Sequence, residues 1–526
     1  MQGFAAEITW GHTMREVLEA DGFELTNAYR SGPSCWLLRA KPPREIEEGF
    51  GLAPEILLIA MHGEVQARDL QRAADEVVWS ELRLDSNLVI VTDDTRRPLQ
   101  ERLDRIHGRG HRVAWVWDDD SHWSPLSEVL RQRLPTYDVF DEHDPVRGNQ
   151  LMGRDAEVAE LRTRVVRGDA VGVFGLRKMG KTSLVRAVTD WLDPASGTKG
   201  ADQTRAKSSG CVLWVDAQGL VPNATADDVA DELLAALRRR MRAADPSYTL
   251  PAHRGMMGLK TAGQALLDAG GRLCFVIDEY DLLFERPMRR GPIPGLSQLL
   301  GLLRAWSQQD QGTVSLVLIG RDPEHLSVPQ LDLVSNPLLG WFSSMWLGPL
   351  VPPRDAELLR TLGHRVGLEV GHESAALAHL WTGGHPMLLR QFGSALREEV
   401  RRRVSGPTWK MPTDPYRIGT VNRFVDRDAV LTINREIIEL LKKRYSAAYE
   451  LMLALVDGEA AAVTRDQDGG ALGVRMLRKF GILDQDTFAV PEHLSWYVRT
   501  MLPKRGPTAA SRKRKRTAGR RTDAAR

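Results

Sequence analysis

Apolar positions along this chain fall into two kinds of run. In "DAVGVFG", "CVLWVDA", "RLCFVIDE" and "VSLVLIG" nearly every side chain is apolar, the pattern of strands covered on both faces. Between most of them lie segments such as "DDVADELLAALRRRM" and "GLSQLLGLLRAW", whose apolar residues recur at helical spacing. Strand and helix alternate from Leu151 to "SMWLGPL". This predicts a largely parallel sheet with right-handed crossovers. After Pro352 the strand-like runs stop. The pattern is helical to about residue 425, then helical again to Pro503, with "GILDQDTFAV" reading as a hairpin before a last amphipathic helix. The first ~140 residues read as a smaller α/β unit. Here "TMREVLEADGF" suits a helix ended by Gly22, "SCWLLRA", "EILLIAM", "NLVIVTD" and "HRVAWVW" suit strands, and "DLQRAADEVVWSEL" suits a helix. The polar stretch "PTYDVFDEHDPVRGNQ" reads as a separator. The expected organisation is 1–140, an N-terminal α/β domain; 146–350, an α/β core; 351–425, a helical lid; 426–503, a winged-helix domain; and 504–526, a tail.

Length supports that division, since 526 residues exceed what one hydrophobic core serves. No run approaches the ~18 apolar residues of a membrane span, and no signal pattern opens the chain, so a cytoplasmic protein without membrane contact is expected. Cys35, Cys211 and Cys274 are odd in number and far apart, which leaves no disulfide framework or CxxC knuckle. The three are expected to be buried thiols. Charge is unevenly placed: from Lys504 to Arg526, ten Lys and Arg face only Asp523, a surplus of nine. With a whole-chain charge of +2, residues 1–503 carry −7. A disordered solubility tail and a non-specific nucleic-acid tail both fit this composition.

The chemistry concentrates in "GVFGLRKMGKTSLVRAV". Gly175, Gly180, Lys181 and Thr182 satisfy G-x-x-x-x-G-K-[ST], with a strand before and a helical stripe after, so the loop spanning Met179 and Ser183 is expected to cradle phosphates. Amides of the loop and the helix N-terminus attract anions, Lys181 neutralises β/γ oxygens, and the Thr182 hydroxyl ligates Mg²⁺. A second element follows in "RLCFVIDEYDLLF". Asp278 and Glu279 stand at the carboxyl end of a strand, where open sheets place ligand groups. Asp278 is expected to hold Mg²⁺ through water and Glu279 to orient or deprotonate the attacking water.

Further motifs carry a resemblance. Leu151 to Glu157, with Gly153 and Arg154, reads as hhGRxxE before the P-loop; "VSLVLIG" ends at Arg321; and "GGHP" supplies Gly384, His385 and Pro386. Together with the P-loop, these resemble the STAND-class ATPases and the archaeal-type, AAA+-related ATPases, over residues 150 to 500. The resemblance implies nucleotide contacts at Arg154, a sensor role for Arg321 and packing of Pro386 near the base. Replication-initiator ATPases of the origin-recognition type are less similar, because they place a polar sensor at the Arg321 position and an arginine in the lid. No arginine in "SNPLLGWFSSMWLGPL" suits a finger reaching a neighbour's site.

At the C-terminal end, "GGALGVRMLRKFGILDQDTFAVPEHLSWYVRTML" looks like a winged helix in which Arg475, Arg478 and Lys479 face a DNA backbone. In the family this module commonly packs on the nucleotide domain instead. The N-terminal unit resembles a restriction-endonuclease-like core but offers Glu55 without the acid-x-Lys lysine, and Lys41 lies outside that spacing. An inactive or interaction-only domain is therefore expected. The whole reads as an α/β P-loop NTPase with lid and winged helix, binding ATP with Mg²⁺ and hydrolysing it slowly as a switch. Its expected partners are ATP and ADP, nucleic acid through tail and winged helix, a protein through the N-terminal domain, and further copies in a nucleotide-dependent oligomer. The alternatives are a DNA-binding ATPase (loader, defence or nuclease-associated) and a transcriptional regulator with an ATPase module.

Overall fold

The computed structural model describes residues 11–32, 35–62, 84–92, 112–116, 123–141, 145–146, 151–192, 210–244, 253–285, 291–309, 312–331, 334–404, 411–458, 469–484 and 489–503. Helix α1 (Gly11–Ala20) turns Met14 and Leu18 inward. A five-stranded sheet follows, in spatial order β1 (Glu24–Gly32), β2 (Cys35–Lys41), β3 (Glu55–Met61), β4 (Leu84–Thr92) and β5 (Arg112–Val116). The first three strands run antiparallel and the last two lie parallel to β3. Helices α2 (Arg44–Phe50) and α3 (Leu126–Arg133) add to the elements that periodicity indicates. Strand β1, "ELTNAYRSG", has no buried residue and therefore no apolar run to betray it. The expected helix "DLQRAADEVVWSEL" lies outside the described residues. Phe23, Trp36, Phe50, Trp115 and Trp123 belong to one core here, with the Trp115 and Trp123 ring centres 4.6 Å apart.

The second sheet positions the site. Its surroundings run α4 (Asp155–Val166), β6 (Ala170–Phe174), α5 (Lys181–Leu192), β7 (Cys211–Asp216), α6 (Ala226–Ala244), α7 (Gly255–Asp268), β8 (Leu273–Asp278), α8 (Leu296–Gln309), β9 (Val314–Gly320) and β10 (Ser343–Trp346). The spatial order is β10-β6-β9-β8-β7, with every pair parallel. Every residue of β6, β8 and β9 is buried, while the edge strand β7 alternates, as a strand with one covered side must. Parallel strands bring all their carboxyl ends to one rim, and the chain leaves β6 toward β7 but returns from β9 to β10 on its other side. Open sheets of this kind place ligand groups at such a switch point.

Helices α9 (Arg354–Arg365), α10 (His372–Thr382), α11 (Pro386–Arg403) and α12 (Arg417–Val425) follow. Strands do not stop altogether after Pro352: Leu368–Glu369 pairs in parallel with Met411–Pro412, a two-residue bridge too short to show in a periodicity. Helix α11 is buried almost all round, and its buried residues include Arg390, Ser394 and Arg397. Their partner is the stretch after α3. Arg390 Nη1 donates to the Val139 carbonyl at 3.1 Å and Arg397 Nη2 to those of Pro135 at 3.1 Å and Thr136 at 2.5 Å. The Ser394 hydroxyl bonds Asp138, and Phe140 is fully buried. The start of the polar separator is thus a strap laid along α11, anchored by Val139 and Phe140 within an otherwise polar run.

By contacts the chain divides into two compact units, Met1–His379 with Gly384–Phe424, and Leu380–Gly383 with Val425–Arg526. The second contains α13 (Asp428–Arg444), α14 (Ser446–Val456), α15 (Gly469–Lys479) and α16 (Glu492–Met501). Its interior includes Phe480 against Tyr445, ring centres 5.4 Å apart, and His493 hydrogen-bonded to Asn434 at 2.7 Å. No strand is assigned in it among the described residues. The Asp484 amide donates to the Ala489 carbonyl at 3.1 Å, closing the ends of the expected hairpin, whose tip 485–488 lies outside the described residues, as does the basic tail 504–526. All three cysteines are buried free thiols. No helix among the described residues is long and apolar enough to cross a membrane.

Candidate active site

The loop from Gly175 to Thr182 joins β6 to α5 at the carboxyl rim of the parallel sheet. Gly175 has φ 149°, and a Cβ there would lie 2.5 Å from the Leu347 carbonyl oxygen, so a side chain would push β10 off the loop. Lys178 adopts φ 60°, a left-handed turn that a non-glycine residue takes only where its surroundings impose it. Arg154 steadies the loop from beneath. It is 4% exposed, and its guanidinium donates to Glu157 at 3.1 Å, to the Met179 carbonyl at 3.4 Å and to the Gly348 carbonyl at 2.6 Å. Met179 is itself buried, so its side chain serves the core under the loop. Ser183 is buried on the first turn of α5.

Lys181 is buried, and its ammonium donates to the carbonyls of Gly175 at 2.9 Å and Leu176 at 2.8 Å. Burial lowers its pKa, Glu279, Asp281 and Asp278 oppose that shift, and Arg321 adds to it. The Thr182 hydroxyl donates to Asp278 Oδ2 at 3.0 Å, and the Glu279 amide donates to the other oxygen at 3.0 Å. Burial pushes the Asp278 carboxyl up to about 6, against those two hydrogen bonds. Glu279 has φ 50°, a strained backbone held at the rim where the candidate water-activating carboxylate belongs. Strand β9 delivers Arg321 to the same rim, and the Arg321 carbonyl accepts the Gly175 amide at 3.2 Å. The structure thus brings Gly175, Gly180, Lys181, Thr182, Asp278, Glu279 and Arg321 together.

Helix α11 reaches this loop through a residue to which the motif reading gave no role. His385 caps α11: its Nδ1 accepts the Leu388 amide at 3.4 Å, which leaves Nε2 to donate to the Arg177 carbonyl at 3.1 Å. Burial lowers its pKa to about 4. Pro386 is the first residue of α11, half-buried beside it. The "GGHP" letters contained the signal; the histidine rather than the proline makes the bond to the phosphate loop. Asp281, one turn beyond Asp278, is a second residue passed over, buried with burial pushing its carboxyl up to about 6. Arg475, Arg478 and Lys479 are on α15 of the second unit, at spacings that put them on one helical face. Arg475 is exposed and the other two are half-buried. In the first unit, Glu55 accepts the Thr26 hydroxyl at 2.7 Å, and Lys41 pairs with Glu24 at 3.1 Å.

A family model described as an AAA domain matches residues 167–326, the span that holds the phosphate loop, Asp278, Glu279 and Arg321. No protein of curated function matches the sequence. Among solved structures the chain is similar to the Walker-type ATPase of Pyrococcus abyssi, at 15% identity and TM-score 0.47 over 68% of this chain and 99% of that one. It is also similar to the ORC2 protein of Aeropyrum pernix in its ADPNP-ADP complexes, at 16% identity and TM-score 0.41 over 68% and 93%. The RuvB Holliday junction branch migration motor of Thermotoga maritima matches at 14% identity and TM-score 0.33 over 67% and 96%. With its phosphate loop and parallel sheet, the matched region is a P-loop ATPase domain of the AAA type.

Proposed function

We propose that this chain is a slowly hydrolysing ATP switch, in which the nucleotide sets the position of α11 and, through it, of the strap leading to the N-terminal sheet. One observation carries the reading: α11 bonds the phosphate loop at its first turn, through His385 and Arg177, and holds the 134–140 strap along its length. A ligand that rearranges the loop changes what α11 can bond. Its differential affinity for the two arrangements is the work available to the switch.

The residues present fit ATP and Mg²⁺. The ammonium of Lys181 is held by its own loop's carbonyls, where a phosphate oxygen would be the stronger partner. The Thr182 hydroxyl and Asp278 carboxylate, 3.0 Å apart, suit a Mg²⁺ that takes its remaining ligands from phosphates and water. When bound, the metal neutralises phosphate charge. Lys181 binds β/γ oxygens, Glu279 orients the water that attacks the γ-phosphorus and takes its proton, and Arg321 reads the γ-phosphate at the end of β9. Arg154 acts on the nucleotide indirectly, by fixing the Met179 peptide.

Nucleotide binding by calorimetry on the full chain tests the assignment. Lys181→Ala is expected to lose ATP binding, while Glu279→Gln binds ATP and retains it unhydrolysed. ATP affinity equal to wild type in Lys181→Ala would sink the site. The half-exposed cationic face of α15 supports a second reading, an ATPase that works on DNA through a winged helix.

A further inference from the structure

Arg321 is held through its main chain from both sides. Its carbonyl accepts the Gly175 amide of the phosphate loop at 3.2 Å, and its own amide donates to Asp281 Oδ2 at 2.9 Å. Tyr280 brackets the same segment: its amide donates to the Ile319 carbonyl at 3.0 Å and its hydroxyl to the Asp322 carbonyl at 2.5 Å. The approach is so close that a Cβ on Gly320 would lie 2.3 Å from the Tyr280 ring and 2.6 Å from Asp281 Oδ2. Asp281 is 1% exposed, and its second oxygen, Oδ1, has no hydrogen-bond partner among the described residues. A buried carboxylate with an unmatched oxygen costs stability, so packing alone favours a neutral residue here. The cations that share its surroundings are Lys181 and Arg321, both at the candidate active site.

We propose that Asp281 is a positioning residue for ATP hydrolysis: through the Arg321 amide it sets the arginine at the end of β9 in register with the phosphate loop. This rests on the reading of Arg321 as the group that senses the γ-phosphate. In this role Asp281 acts through Arg321 rather than on the reacting atoms, and an acceptor oxygen at that point is what the role requires. Asparagine keeps such an oxygen, whereas alanine removes it.

The experiment is a kinetic cycle on the full chain, with ATP and ADP affinities and melting temperatures measured beside turnover. Arg321→Ala is expected to lower kcat by about tenfold or more with ADP affinity within about twofold of wild type. Asp281→Ala is expected to match that loss, the double variant to be no slower than Arg321→Ala alone, and Asp281→Asn to restore most of the rate. Multiplying losses in the double variant, or a wild-type rate in Asp281→Ala, would overturn the inference. So would an Asp281→Ala defect seen only as a lower melting temperature. Should Asp281→Ala fail to fold, Asp281→Ser, too short to keep the bond, takes its place in the same cycle. Wild-type turnover and ATP affinity in Arg321→Ala would remove the sensor reading itself, whereas a slow Arg321→Ala beside a fast Asp281→Ala removes only the role of Asp281.

Discussion

His385 is neutral because of where it sits: a fully buried ring with Lys181 and Arg154 nearby favours the uncharged form, and burial is the larger cause. A proton added to Nδ1 would break the cap on the Leu388 amide. The folded value of about 4 lies below the ~6.5 of an unperturbed histidine, so the folded chain binds fewer protons than the unfolded one between those limits. This residue's contribution is therefore complete above pH ~6.5 and is lost as the pH falls from there through about 4. Thermal unfolding from pH 7 to 4 is expected to show a shallower decline in His385→Asn than in wild type. Equal slopes would show that His385 contributes nothing to acid sensitivity. Asp281 and Arg321 make the companion case at this scale, since their bond between backbone and side chain sets geometry that neither side chain announces.

Among the elements, α11 is the one whose sequence and role diverge most. Arg390, Ser394, Arg397 and Arg401 follow one another at steps of four, three and four, which aligns them on one face. A polar face on a helix ordinarily means solvent. Here Arg390 and Arg397 are buried, each bonded to strap carbonyls, and each such charged hydrogen bond is worth about 1.5–3 kcal/mol. Arg397→Ala is expected to destabilise the chain by at least that much, and Arg397→Lys to recover only part, because one nitrogen, Nη2, serves both carbonyls and the shorter lysine stem stops short of its position. Hydrogen exchange in 134–140 tests the coupling. The ATP-retaining Glu279→Gln protein should protect the strap differently from Lys181→Ala, and the difference should vanish when Arg390 and Arg397 are both alanine. Strap exchange indifferent to nucleotide in Glu279→Gln would break the link between α11 and the switch.

For the whole molecule, charge distribution separates the switch from an ATPase that works on DNA. The surplus of nine positive charges at 504–526 is offset by a body of opposite sign, so attraction to a duplex through the tail alone is salt-sensitive. ATP turnover is expected to be unchanged by duplex DNA, with any DNA binding falling steeply with salt and lost when 504–526 are removed. Turnover that rises with DNA and falls back on Arg475→Ala or Lys479→Ala would favour the second reading instead.

Much of the catalytic half was legible from the chain. A P-loop between an unbroken apolar run and a helical stripe, and Asp278–Glu279 at the end of another such run, are local patterns, because phosphate cradles and buried strands are built from consecutive residues. The same holds for the alternation that announces a parallel sheet. Tertiary structure alone decided what depends on residues distant in sequence. It set the strand order that places Arg321 beside Gly175, the Asp281 bond that holds it, the histidine that joins α11 to the phosphate loop, and the strap along α11. Strand β1 escaped notice because an exposed strand has no burial to impose a pattern, and the strap because two apolar residues in a polar run acquire meaning only once a helix is found to cover them.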